Sequence, residues 1–167
     1  MVSHTPTTEF TPTTQKSSSK IWRIMLIIVI PYLLVSGYLA YTKITNQSTV
    51  CLETSVFNCD AVQTSRWSEF AGLSVAAWAF GLMSLVGITL ILEKRVAFFA
   101  KYGVAIVFGL VLFGFLYHSY LTIMAATRIR ALCPWCLSAH AMMLIQLILA
   151  SIRLKQTYLS SNSTPNA

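Results

Sequence analysis

ALCPWCLSAH, residues 131–140, puts a Cys-x-x-Cys pair at the start of a long apolar run. Two cysteines at that spacing form the compact dithiol that cycles between oxidised and reduced states. The run that follows, residues 131–152, is long enough to cross a bilayer, whose hydrocarbon core of about 30 Å takes roughly 20 residues of helix. Redox sulfurs therefore sit where a helix enters lipid.

Three more stretches are nearly free of charge: residues 24–41, 70–92 and 102–127. The third exceeds what one crossing needs, so it tilts or emerges from the bilayer; the first contains Pro31, which predicts a kink. Only 10% of the chain is Asp, Glu, Lys or Arg against 56% hydrophobic residues, too little charge to cover a soluble globule. The expected fold is an all-α membrane protein, a four-transmembrane-helix bundle with an outward loop between helices 1 and 2. That loop carries a short amphipathic segment, DAVQTSRWSEF. Residues 1–19 are expected to be a disordered cytoplasmic tail, 20–155 the transmembrane domain and 156–167 a second cytoplasmic tail. Reading the first run as a cleaved signal peptide would remove one helix from an even set, so it is taken as a span.

The net charge of +7 invites a nucleic-acid reading, but its distribution does not. Lys16, Lys20 and Arg23 precede the first span, Lys94, Arg95 and Lys101 lie between the second and third, and Arg153 and Lys155 follow the fourth. If every run crosses, these fall on one side. Lys43, Arg66, Arg128 and Arg130 fall on the other, mixed with Glu53, Asp60 and Glu69. The positive-inside rule then makes both termini cytoplasmic and residues 43–69 outward.

All 4 cysteines, Cys51, Cys59, Cys133 and Cys136, land on the outward side or at its membrane boundary. Thiols there meet an oxidising environment, so two pairs mean either two structural bridges or an electron relay. If Cys133 caps the fourth helix, Pro134 occupies the first helical position, where its missing N–H costs nothing. Unpaired N–H groups and the helix dipole then favour a thiolate in that first turn. Cys136, one turn deeper, faces apolar surroundings that a lipid-soluble electron carrier reaches. A zinc site is a poor alternative, because the wide spacing of Cys51 and Cys59 does not supply a second close ligand pair; no metal is expected. His140 follows Cys136 by one helical turn, and an ionisable residue inside a span is a functional candidate by default. It is the candidate hydrogen-bond donor or proton source for the acceptor. His118, in the third span, is expected to serve interhelical bonding. Ala77 and Gly81 form a small-xxx-small pair suited to close helix packing.

Taken in order, a C-x7-C loop, the run Ser65-Arg66-Trp67 and a Cys-x-x-Cys opening the last of four spans resemble the vitamin K epoxide reductase family. The resemblance covers about residues 20–155 and points to a bacterial type without a fused thioredoxin domain. It implies a quinone-dependent thiol-disulfide oxidoreductase of the bacterial inner membrane, supporting disulfide formation in exported proteins. A separate periplasmic thioredoxin-fold, DsbA-like partner would exchange with Cys51. Cys59 would attack Cys133, and Cys136 would reduce ubiquinone or menaquinone, the expected electron acceptor. Ser65 and its neighbour Trp67 join His140 as the candidate quinone-binding residues. Where vertebrate members carry a Tyr and an Asn by the quinone, this chain has His140 and a position near Ala77. The alternatives are reduction of quinone or vitamin K epoxide as the useful product, or a non-catalytic scaffold with structural disulfides. The rival four-span DsbB-type arrangement has its two cysteine pairs in the reverse order.

Overall fold

The computed structural model describes residues 13–51, 54 and 56–162. Helix α1 (Thr13–Ile44) leads into a loop holding the short helix α2 (Cys59–Gln63) and a single 3-10 turn, Arg66–Ser68. A hairpin of β1 (Glu69–Phe70) and β2 (Leu73–Ser74) follows, then α3 (Val75–Leu92), α4 (Ala97–Met124) with a π turn at Ala125–Ile129, and α5 (Pro134–Asn162). Four segments are long and apolar enough to cross a membrane: Ser19–Ile44, Val75–Leu92, Ala97–Ile129 and Pro134–Tyr158. The fold is thus a four-helix membrane bundle.

These helices are apolar on every side, and the structure divides the apolar residues between two environments. Met25, Val29, Met83, Val86, Val107, Val111 and Met143 are buried in one core, while Ile27, Leu34, Ile88, Phe113 and Ile148 face outward. The outward set is the surface that lipid covers. Helix α1 packs on α3 and α5, and α4 packs on α3 and α5. Within this core the fully buried Gln146 donates from Nε2 to the Met25 carbonyl at 2.9 Å, bridging α5 to α1.

Several boundaries differ from the sequence reading, each for a local reason. Helix α1 starts at Thr13, within the stretch expected to be a tail, because a polar run such as TTQKSSS carries no hydropathy signal although it prolongs the helix. Residues 1–12 lie outside the described residues. Helix α5 likewise runs past 155 to Asn162, and residues 163–167 lie outside the description. Pro31 sits inside α1 and does not end it; apolar spans tolerate proline because neighbouring helices hold the segment in place. Helix α3 begins at Val75 and not at Phe70. Ala71 and Gly72, at φ 53° and 79°, make the tight two-residue turn that pairs Phe70 with Leu73. The segment expected to be amphipathic is divided among α2, the 3-10 turn and β1.

At the end of the bundle away from the cysteines, Arg153 Nη2 meets Glu93 Oε2 at 3.0 Å with both side chains 8% exposed. The pair fastens the α3–α4 turn to α5. Gly103 makes room for it: a Cβ there would stand 2.6 Å from Glu93 Cγ. Beside it Lys94 Nζ lies 3.4 Å from the centre of the Trp22 ring, whose Nε1 donates to the Leu90 carbonyl. A buried ion is expensive without its partner. Arg153→Ala is therefore expected to cost about 3–5 kcal/mol, read as a lowered melting temperature in detergent. The double variant Glu93→Gln/Arg153→Met is expected to recover most of that loss.

Candidate functional site

The site is assembled from two segments far apart in sequence. Leu132, just before α5, donates its N–H to the Val56 carbonyl at 2.9 Å and accepts from the Asn58 N–H at 3.1 Å. Phe57 and Leu132 thus form a parallel bridge. Continuing the register by one residue sets Asn58 beside Cys133, with Cys59 next along the chain. Neighbouring extended segments lie roughly 4.8 Å apart. The ladder carries the loop pair to the Cys-x-x-Cys pair.

The loop is fixed at its other sulfur as well. Trp135 Nε1 donates to the Val50 carbonyl at 2.8 Å, and the Val50 N–H donates to the Tyr38 hydroxyl at 3.0 Å. Tyr38 and Trp135 pack ring to ring, centroids 5.7 Å apart. Asp60 accepts from the Thr49 N–H, and Gln63 Nε2 donates to Thr49 Oγ1. Cys51 and Cys59 are joined as a disulfide, with their Cα atoms 6.0 Å apart. Cys59 is 0% exposed whereas Cys51 is half-buried, so the two ends of the bridge differ in access. Asn58 caps α2 by accepting from the Ala61 N–H at 2.8 Å, which fixes the hidden Cys59 at a helix start.

Cys133 and Cys136 are free thiols. Pro134 is the first helical residue of α5, so Cys133 stands at the cap position that the sequence predicts for it. A hydrogen bond from the Cys136 thiol, helped by the backbone N–H groups of Cys136 and Trp135, pulls the Cys133 thiol down from 9.0 to about 7 against the opposing effect of its burial. The first turn of the helix thus holds a thiolate near neutral pH.

Cys133 and Cys136 line a cavity of about 110 Å³ that also takes in Ser65, Trp67, Tyr32 and His118. A second cavity of about 410 Å³, with Phe70, Trp78, Gly81, Leu85 and Phe113 on its wall, shares Tyr32, Val75, Ala79, His118 and Leu121 with the first. The two therefore adjoin. The second opens between α3 and α4, where Trp78, Leu85 and Phe113 are exposed on the lipid-facing surface. Gly81 borders this groove with nothing within 4 Å of an added Cβ. The small-xxx-small pair expected to seat a neighbouring helix thus lines open space at its second member. Close packing occurs instead at Gly114, where an added Cβ would stand 2.6 Å from Leu82 Cδ2 and 2.9 Å from Met143 Cε.

The sequence candidates divide on this geometry. Ser65 lines the first cavity, but its one hydroxyl hydrogen is committed to the Val62 carbonyl at 2.8 Å, leaving it only an acceptor for a ligand. Trp67 lines it too, edge-on to Tyr120. His140 lines neither cavity. It stacks on Phe115, lies 5.3 Å centroid to centroid from His118, and its Nδ1 is buried with no partner among the described residues. His118 and Tyr32, which the sequence reading did not place at the site, border both cavities. The Tyr32 hydroxyl is buried and unpartnered among the described residues. Spacing in the sequence gives no signal for them: Tyr32 and His118 lie in different spans, and only the packing of α1 and α4 on the shared helices α3 and α5 brings them to one crevice.

Residues 10–151 match the family model of the vitamin K epoxide reductase family, most of the chain.

The environment of Cys133 carries its own test. With the loop disulfide intact, thiolate absorbance of the reduced protein is expected to show a first titration at about pH 7. Cys136→Ala removes the donor thiol and is expected to move that step up toward 9, whereas Cys136→Ser, which keeps a donor, is expected to hold it near neutrality.

Proposed function

Because the chain belongs to the vitamin K epoxide reductase family, whose members are oxidoreductases, we propose that it is a membrane thiol oxidase. It relays electrons from an external dithiol through Cys51–Cys59 and Cys133–Cys136 to a quinone. The observation that carries this reading is the bridge between Phe57 and Leu132, which sets the segment leading into the Cys51–Cys59 disulfide beside the residue before Cys133, whose thiol lines a cavity with that of Cys136.

Cys51, the more accessible end of the bridge, is the face for a thioredoxin-fold, DsbA-like partner. A partner thiolate that attacks Cys51 releases Cys59 as a thiolate beside Cys133, and Cys59 in turn reduces a Cys133–Cys136 disulfide. The dithiol then passes two electrons to a quinone held in the cavity. The groove between α3 and α4 supports a lipid-borne acceptor, since its wall is apolar and opens on the bilayer side. Ubiquinone and menaquinone have this form. A two-electron acceptor about 100 mV above its donor drives the exchange by roughly 5 kcal/mol. The basic residues around Arg23, Lys94, Arg95 and Arg153 gather at the end opposite the cysteines and support cytoplasmic termini in a bacterial inner membrane, with the cysteines on the periplasmic side.

Two measurements check the reading. Cys133→Ala and Cys136→Ala are each expected to abolish quinone reduction by a reduced partner, followed spectrophotometrically as loss of quinone; turnover retained in both would overturn it. Gly81→Leu, built into open space, is expected to raise KM about tenfold for a long-tailed quinone, equivalent to roughly 1.4 kcal/mol of lost apolar contact, and to leave a tail-less quinone unaffected.

A further inference from the structure

Quinone reduction by a dithiol moves protons as well as electrons, and the walls of the two cavities hold few groups able to carry them. Neither cavity is lined by Asp, Glu, Lys or Arg among the described residues. The titratable side chains around the first are Tyr32 on α1, His118 on α4, and Cys133 and Cys136 at the start of α5; Tyr117 joins at the second, and His140 of α5 stands behind His118. Of these only His118 is a base that faces the space itself. It stands where the two cavities meet, on the helix opposite the dithiol, within hydrogen-bonding reach of the Cys136 backbone. His140 lines neither cavity; its ring stacks on Phe115 and is tilted 54° to that of His118.

Building on the reading of the acceptor as a quinone, we propose that His118, rather than His140, shuttles the proton between Cys136 and the acceptor. The neutral imidazole takes the proton of the Cys136 thiol. The Cys133 and Cys136 sulfurs then join, and the two electrons they release pass to the quinone. The imidazolium returns its proton to one reduced oxygen, and the second oxygen takes from solvent the proton that Cys133 had released when it became a thiolate. Two electrons and two protons leave the dithiol; the same number arrive on the hydroquinone. An imidazole suits this work because one ring nitrogen accepts a proton while the other donates one, and a positioned acid-base group is worth roughly 10²–10⁴-fold in rate. His140, whose Nδ1 has no partner among the described residues, backs the shuttle as a positioning residue.

The experiment compares His118→Asn, His118→Ala and His140→Asn in the full chain, driven by a chemical dithiol with a tail-less ubiquinone as acceptor. His118→Asn, which retains hydrogen bonding without proton exchange, is expected to lower kcat about 100-fold with KM for the quinone little changed. Reduction of the Cys51–Cys59 disulfide, followed by thiol labelling, is expected to proceed at the wild-type rate in the same variant. Added imidazole is expected to restore turnover to His118→Ala in a concentration-dependent way and to do nothing for His140→Asn. His140→Asn is expected to retain most of its turnover while its pH profile shifts. Full turnover in both His118 variants, or loss in His140→Asn with His118→Asn unaffected, would overturn the assignment. A wild-type protein that reduces no quinone in this assay would instead sink the underlying oxidase reading. Melting temperatures of the variants separate misfolding from lost proton transfer, since a correctly folded variant keeps the wild-type transition.

Discussion

Two backbone hydrogen bonds at Leu132 hold the functional end of this molecule together. Four helices packed by their apolar faces make a bundle without any instruction about what the loop above them does. The loop has almost no hydrophobic core of its own, and a chain segment of that kind stays put only when its polar backbone finds fixed partners. Leu132 supplies both an acceptor and a donor on the residue before Cys133, and Trp135 supplies a third anchor to Val50. The same few bonds that order the loop therefore also set the spacing of the sulfurs. Structure and chemistry depend on one feature.

The two ends of the bundle solve opposite problems. At the far end a buried Glu93–Arg153 pair locks the α3–α4 turn to α5, with Gly103 clearing the space it occupies. At the cysteine end, packing is relaxed instead of locked, and cavities open between α1, α3, α4 and α5. Gly81 contributes to that opening by what it lacks. A rigid base beneath a hollow top suits a protein that holds its helices fixed while a ligand enters between them.

Much of this was legible in the sequence because hydropathy and charge report on lipid directly. The four spans and the position of Pro134 at the first turn of α5 each follow from local composition and spacing. The ends of α1 and α5 were not legible, since polar residues such as Lys16 and Ser17 continue a helix that lipid does not demand. The cavity-lining residues were less legible, for a physical reason. His140 stands out because it follows Cys136 by one turn, yet one turn along a helix also rotates a side chain away from a cavity as easily as into it. Which imidazole borders the space is decided by how α4 lies against α5, and that appears only when the helices are packed. Ser65 was found by position, but the direction of its hydroxyl, spent on Val62, is a property of the 3-10 turn that follows it.

The unequal exposure of the Cys51–Cys59 bridge has a consequence for traffic. On the proposed relay, a partner thiolate would reach the half-buried Cys51 more readily than the fully buried Cys59, and displacement at Cys51 would leave Cys59 as the departing thiolate. Access would then choose which sulfur is attacked first, while the difference in potential would set the net flow.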